Sequence, residues 1–208
     1  FGVSRATGIT SVEQWLAAKT PLKFGAIAPG DGTYDIPKVM EAALGLPIQV
    51  VAGYKGTAPI RLAFNSGEVA GLSSAWQSLR STWTKELESG EALILLQVAN
   101  KAHADLPKVP LAVNFAKSDE ARKLIQAVAQ AHGAAVRPYV LPPGTKKDLV
   151  EILRKAFMEA AKDPELLSEA GKARLEINPR SGEELEQNVQ ELLRLERPLV
   201  VKLREILK

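Results

Sequence analysis

The chain contains no cysteine, which excludes disulfide frameworks, thiolate zinc sites and thiol nucleophiles. That absence is also compatible with an oxidising compartment. Histidine is nearly absent: of the two, His103 falls in a polar loop and His132 at a helix end, and neither has metal-ligand spacing. No apolar run approaches the roughly 18 residues that cross a bilayer. The longest, Ala92 to Ala99, is interrupted by Gln97 and reads as a buried strand. Blocks of like charge are missing as well. The 27 Lys and Arg and 24 Asp and Glu are scattered and leave a net charge of +3, which argues against a nucleic-acid surface. What is present is ordinary for a folded chain, with 46% apolar and 25% charged residues. Its 208 residues suffice for one large α/β domain or two small ones. It begins at Phe1 with neither Met nor a signal peptide, the expectation for a mature or truncated product.

Strand and helix signals alternate through the first half. A capping box at Thr10 to Glu13 predicts a short helix over 12–18. Strands are expected at 22–28, 47–52, 69–73 and 92–99. Helices are expected at about 34–44, 58–66 and 75–87, with Leu62 and Phe64 turned to the core. This rhythm implies a mostly parallel sheet. From about residue 110 the pattern becomes helical: Ser118 caps a helix ended by Gly133, and 137–144 forms a Pro-rich extended connector. The helix after Thr145 carries Leu149, Ile152, Leu153, Ala156, Phe157 and Ala160 at the spacing of one buried face. Asp163-Pro164 and Ser181-Gly-Glu-Glu184 begin two more helices. The character of the chain thus changes at about residue 110, and two lobes are expected.

Chemistry-bearing patterns are few. Gly30-Asp31-Gly32 has the wrong spacing for G-x-G-x-x-G and lacks the Gly-Lys-Ser/Thr of a P-loop, so no nucleotide is expected. Gly71-Leu-Ser-Ser-Ala75 lacks the G-x-S-x-G of a hydrolase elbow. Asp31 and Asp35 suit a helix cap better than an acid and base pair. What remains at Pro29, Gly30, Asp31, Gly32, Thr33 and Tyr34 is a turn before a helix, whose free amides suit a carboxylate or phosphate. Tyr54, Lys55 and Thr57 follow the next strand, and Ser73, Ser74 and Trp76 the one after. All lie at carboxyl ends of parallel strands, where α/β sheets bind ligands. No metal site, catalytic group or cofactor is expected.

Phe24-Gly25 through Gly30-x-Gly32-Thr33, Gly53-Tyr-Lys-Gly56, Gly67-Glu-Val69, Pro142-Pro-Gly144, Lys162-Asp-Pro-Glu165 and Ser181-Gly-Glu-Glu184 follow one another in order along the whole chain. In that order the chain resembles the Bug-type extracytoplasmic solute receptors of tripartite tricarboxylate transporters. The resemblance implies a two-lobed periplasmic binding protein fold of type II-like α/β architecture. It implies a non-enzymatic function: capture of a small organic carboxylate by lobe closure, and delivery to a membrane permease. Residues 1–134 would be mainly the second lobe, and 135–208 the crossover and helical part of the first. Hinges would lie at 4–10 and 133–140. The ligand would meet Pro29 to Tyr34, with Tyr54, Ser73, Ser74 and Trp76 flanking. The family's first strand and its Pro-Gly-Gly-type loop have no counterpart here, so the first lobe would be incomplete and a separate or missing N-terminal segment a partner. The C-terminal helices would then expose an apolar face. Asp31 would be unfavourable beside an anionic ligand; a ligand carrying an amine, or Asp31 serving only as a cap, would reconcile it. A serine-dependent hydrolase or transferase using Ser73 or Ser74 is the first alternative, and a non-binding interaction domain the second.

Overall fold

The computed structural model describes residues 1–134, 138–173 and 175–208. They form two compact units, Phe1–Gly133 with Leu195–Lys208, and Ala134–Arg194.

The first unit is built on five strands, β1 (Gly2–Ser4), β2 (Leu22–Ala26), β3 (Ile48–Ala52), β4 (Gly71–Leu72) and β5 (Ala92–Ile94), in the order β3-β2-β4-β1-β5. β2 runs parallel to β3, with Phe24 opposite Val50, and parallel to β4, with Phe24 opposite Gly71. β1 is antiparallel to both β4 and β5. The sheet is therefore mixed, and the strand formed by the first residues lies inside it.

Helices α1 (Val12–Leu16), α2 (Gly32–Leu44), α6 (Asp119–Ala134) and α10 (Arg197–Ile206) contribute to one apolar cluster, and α3 (Thr57–Asn65), α4 (Trp76–Thr82) and α5 (Thr84–Glu88) to another. Adjacent residues of β2 serve the two clusters, as the two-residue period of a strand requires. Phe24 stacks on Trp15 with ring centroids 5.3 Å apart and also meets Phe1 at 5.5 Å. A Cβ on its neighbour Gly25 would lie 2.7 Å from Ile60 in the other cluster. α10 belongs to this unit, although the sequence division places it with 135–208. Its Leu199 is buried in the first cluster, and Lys123 of α6 pairs with Glu196 at 3.0 Å.

Several local expectations shift. The α1 cap is Ser11, whose hydroxyl accepts from Gln14 N, while Thr10 donates to the Gln14 side chain at 2.8 and 3.0 Å. The cap lies one residue later because Gln14 reaches back in the role assigned to Glu13. The helix expected over 75–87 is two helices joined at Trp83, which is buried. Leu62 is 67% exposed, against expectation; Ile60, Ala63 and Phe64 form the inward face of α3. β4 and β5 are shorter than expected, and past Ile94 the pairing continues only through Phe1, whose carbonyl accepts from Leu95 N at 3.0 Å and whose amino group donates to Leu96 O at 2.8 Å.

The second unit contains α7 (Lys147–Ala160), α8 (Pro164–Lys172) and α9 (Gly182–Leu193). Asp163 caps α8, and Ser181 with Glu184 forms the expected capping box. Arg154 links α7 to α9 through Glu183 at 2.6 Å. The face expected to be buried is not. Leu149, Ile152, Leu153 and Phe157 are all exposed, and α7 has no buried residue. Periodicity identifies a face that favours burial, but not whether this chain supplies its cover. Exposure is what the resemblance implies if part of the first lobe has no counterpart. Residues 135–137, within the expected connector and hinge, lie outside the described residues.

Candidate functional site

Strand direction decides where loops converge. β2, β3 and β4 are mutually parallel, and β5, antiparallel to β1, runs with them. Their carboxyl ends therefore share one edge of the sheet, and the segments 27–31, 53–56, 73–75 and 95–111 all begin there. The chain passes from β2 outward to β3 and then returns across β2 to β4. This reversal places a switch point between the ends of β2 and β4, the crevice where open α/β sheets take ligands.

The turn after β2 is internally bonded. Asp31 is the N-cap of α2, and its Oδ1 accepts from Thr33 N at 2.9 Å and from the Thr33 hydroxyl. The Thr33 hydroxyl oxygen accepts from Ile27 N at 2.9 Å. Asp35 is buried; its Oδ1 accepts from Gly30 N at 2.9 Å, and its Oδ2 lies 3.4 Å from His132 Nε2. Gly30 adopts φ +88° to make the turn, a conformation open to glycine without a Cβ penalty. Two carboxylates of the chain thus occupy the α2 start, and Asp31 is turned inward as a cap. Replacing Asp31 with alanine is expected to cost about 1 kcal/mol, the usual loss for a helix cap. A urea-denaturation midpoint checks this.

The other two helices at this edge begin differently. α3 opens on Gly56 and α4 on Ala75, and neither start is capped by a side chain. Those starts keep the donor character that α2 has spent on its own carboxylates.

The remaining site residues are not all directed together. Pro29 and Gly30 are exposed at the turn, Ser73 is buried and Ser74 half-buried. Among the described residues, neither serine pairs with a histidine. Tyr34 lines an open groove of about 400 Å³ along the β3 edge, together with Lys38, Glu41 and Val50. The Tyr54 hydroxyl donates to Glu68 Oε1 at 2.6 Å. That hydrogen bond, then burial and the Glu68 charge, push its pKa up to about 12. A proton held more tightly in the folded state stabilises below the ordinary pKa near 10 and is lost as pH rises through 12. Glu68→Gln is expected to return one phenol toward 10 in an ultraviolet absorbance titration.

Sequence reading passed over a fourth loop. Gln97 is buried; it donates to Leu106 O at 3.0 Å and Val109 O at 2.7 Å, and accepts from His103 N at 2.9 Å. These bonds shape the segment after β5. On it, Asp105 Oδ2 accepts from Trp76 Nε1 at 3.0 Å and from Arg80 Nη1 at 2.9 Å. The Trp76 indole N–H, with the Arg80 and His103 charges, holds the Asp105 carboxyl below the usual range. The one available signal was Gln97, a polar residue inside an apolar run.

No protein-family model and no curated protein matches the sequence. Among solved structures, R. palustris Rpa4515 with adipate aligns at TM-score 0.65 with 17% identity, over 99% of this chain and 64% of that one. A TctC solute binding protein from Polaromonas aligns at TM-score 0.60 with 15% identity, over 97% of this chain and 65% of that one. The chain has the fold of a solute-binding protein. It spans about two thirds of the length of each of those two chains. The resemblance read from the motifs is thus borne out at the level of fold. Among the described residues of this solute-binding-protein fold, no helix is long and apolar enough to cross a membrane.

Proposed function

We propose that the chain is the ligand-binding part of a periplasmic receptor for a small organic carboxylate, which it captures by lobe closure and delivers to a membrane permease. The supporting observation is the convergence of four strand ends on one sheet edge, in a fold whose solved examples include one with adipate. The carboxylate is received along that edge by the turns carrying Gly56, Thr57, Ser73, Ser74 and Trp76, beside the Pro29–Tyr34 turn. Hydroxyls and helix-start amides supply its hydrogen bonds. Calorimetric titration of the folded chain with a panel of mono-, di- and tricarboxylates tests this. Saturable heat from at least one supports the receptor reading, and none from any overturns it.

One observation favours a second reading, that of an interaction domain without a ligand. Asp31 and Asp35 already fill the start of α2. The same titration separates the two readings. A serine-dependent hydrolase draws no support from Ser73, which is buried and has no histidine partner among the described residues.

A further inference from the structure

The Trp76, Arg80 and Asp105 cluster has the composition of a carboxylate receptor that is already loaded. A guanidinium and an indole N–H converge on a single carboxylate oxygen, at 2.9 and 3.0 Å. Both are donors without acceptor character, and the planar guanidinium fits a carboxylate better than other side chains do. The carboxylate they hold belongs to a surface loop. Arg80 and Asp105 are 44% and 39% exposed at their side chains, and an ion pair so open to water contributes little to stability.

Location adds to this. Trp76 is the first residue of α4, directly after β4, and Asp105 lies on the segment that follows β5, so the cluster stands at the shared strand-end edge. Release of the Asp105 side chain leaves its loop in place. The loop is shaped by Gln97, and Asp105 N donates to His103 Nδ1 at 3.1 Å, so rotation of the carboxylate alone exposes both donors.

We propose that Trp76 and Arg80 form a carboxylate subsite in which Asp105 stands in for the ligand, and that one end of a linear dicarboxylate displaces it. This rests on the receptor reading above and adds a named subsite to it. The exchange is of like for like: Arg80 and Trp76 keep a carboxylate partner, and Asp105 passes to water.

The test is calorimetric titration of the whole chain with adipate. Asp105→Ala removes the internal competitor and is expected to tighten binding about tenfold or more. Adding Arg80→Gln to that variant is expected to abolish the gain. Tryptophan fluorescence gives a second readout. Trp15 and Trp83 are buried, so the half-exposed Trp76 is expected to report adipate, and Trp76→Phe to silence the signal. Unchanged or weaker adipate affinity in a folded Asp105→Ala, or a gain that survives Arg80→Gln, overturns the subsite and leaves the receptor standing. Absence of adipate binding in every variant, with no other carboxylate giving heat, overturns both.

Discussion

Replacing Trp15 with alanine is expected to destabilise the chain by about 3–5 kcal/mol, the range for removing a large aromatic from a core. Domain stabilities are about 5–15 kcal/mol, so this single change removes between about a fifth and all of the margin. The reason lies in where the indole sits. It is fully buried, stacked on Phe24 with an interplanar angle of 8°, and met edge-on by Phe1 at 5.6 Å. Its Nε1 donates to Pro47 O at 3.4 Å, so truncation also leaves that carbonyl without this donor. α1 is a five-residue helix, too short to persist without packing. It is held by this side chain and Val12, and its order should be lost with the cavity. A denaturant-midpoint shift, with loss of near-ultraviolet circular dichroism, is the measurement. A shift within the range of an exposed substitution would contradict the packing described.

Gly71→Ala is expected to cost at least about 1–3 kcal/mol by overpacking. A Cβ at Gly71 would overlap Gly2 O of the neighbouring strand and lie 2.9 Å from Phe24 Cζ. Backbone oxygen cannot rotate away as a flexible side chain can. β4 would have to move against both β1 and β2, carrying the Ser73-Ser74 turn with it. On the proposed receptor reading, carboxylate affinity should therefore fall together with stability. Gly133→Ala is the control: it is exposed in α6, and its Cβ would meet nothing within 4 Å. There the substitution should be neutral, or stabilising by about 0.5–1 kcal/mol, because it lowers the entropy of the unfolded chain. Parallel urea melts of the two variants distinguish close approach from a general glycine effect.

The elements with strong local chemistry were legible in sequence. The α2 stop at Gly45, with φ +70°, the Asp163 cap of α8 and the Ser181 capping box all depend on neighbours within a few residues. The inward role of Asp31 was anticipated as one of two possibilities, and the structure selects the cap. Elements whose fate depends on distant partners read less well. Leu62 has the apolarity of a core residue but occupies the outward face of α3. β1 has no local sign that it will insert antiparallel between β4 and β5.

The candidate site divides in the same way. Its place at strand ends follows from the alternation of strands and helices. Which groups there are spent, and which are available, does not. Asp35 takes Gly30 N, Glu68 takes the Tyr54 hydroxyl, and Asp105 takes Trp76 and Arg80. The last of these pairs join residues 29 and 25 positions apart, beyond the reach of any local pattern.

By itself, the sequence determined the alternating α/β order, the caps and stops of its helices, and the turns that follow its strands, because propensity and capping act over a few residues. Only the tertiary structure decided the antiparallel insertion of β1, the return of α10 to the first unit, the exposed face of α7 and the loading of the strand-end donors by Asp31, Asp35 and Asp105. Those outcomes depend on surfaces and charges brought together from distant parts of the chain, where the balance of burial and hydrogen bonding is set by the partner that arrives.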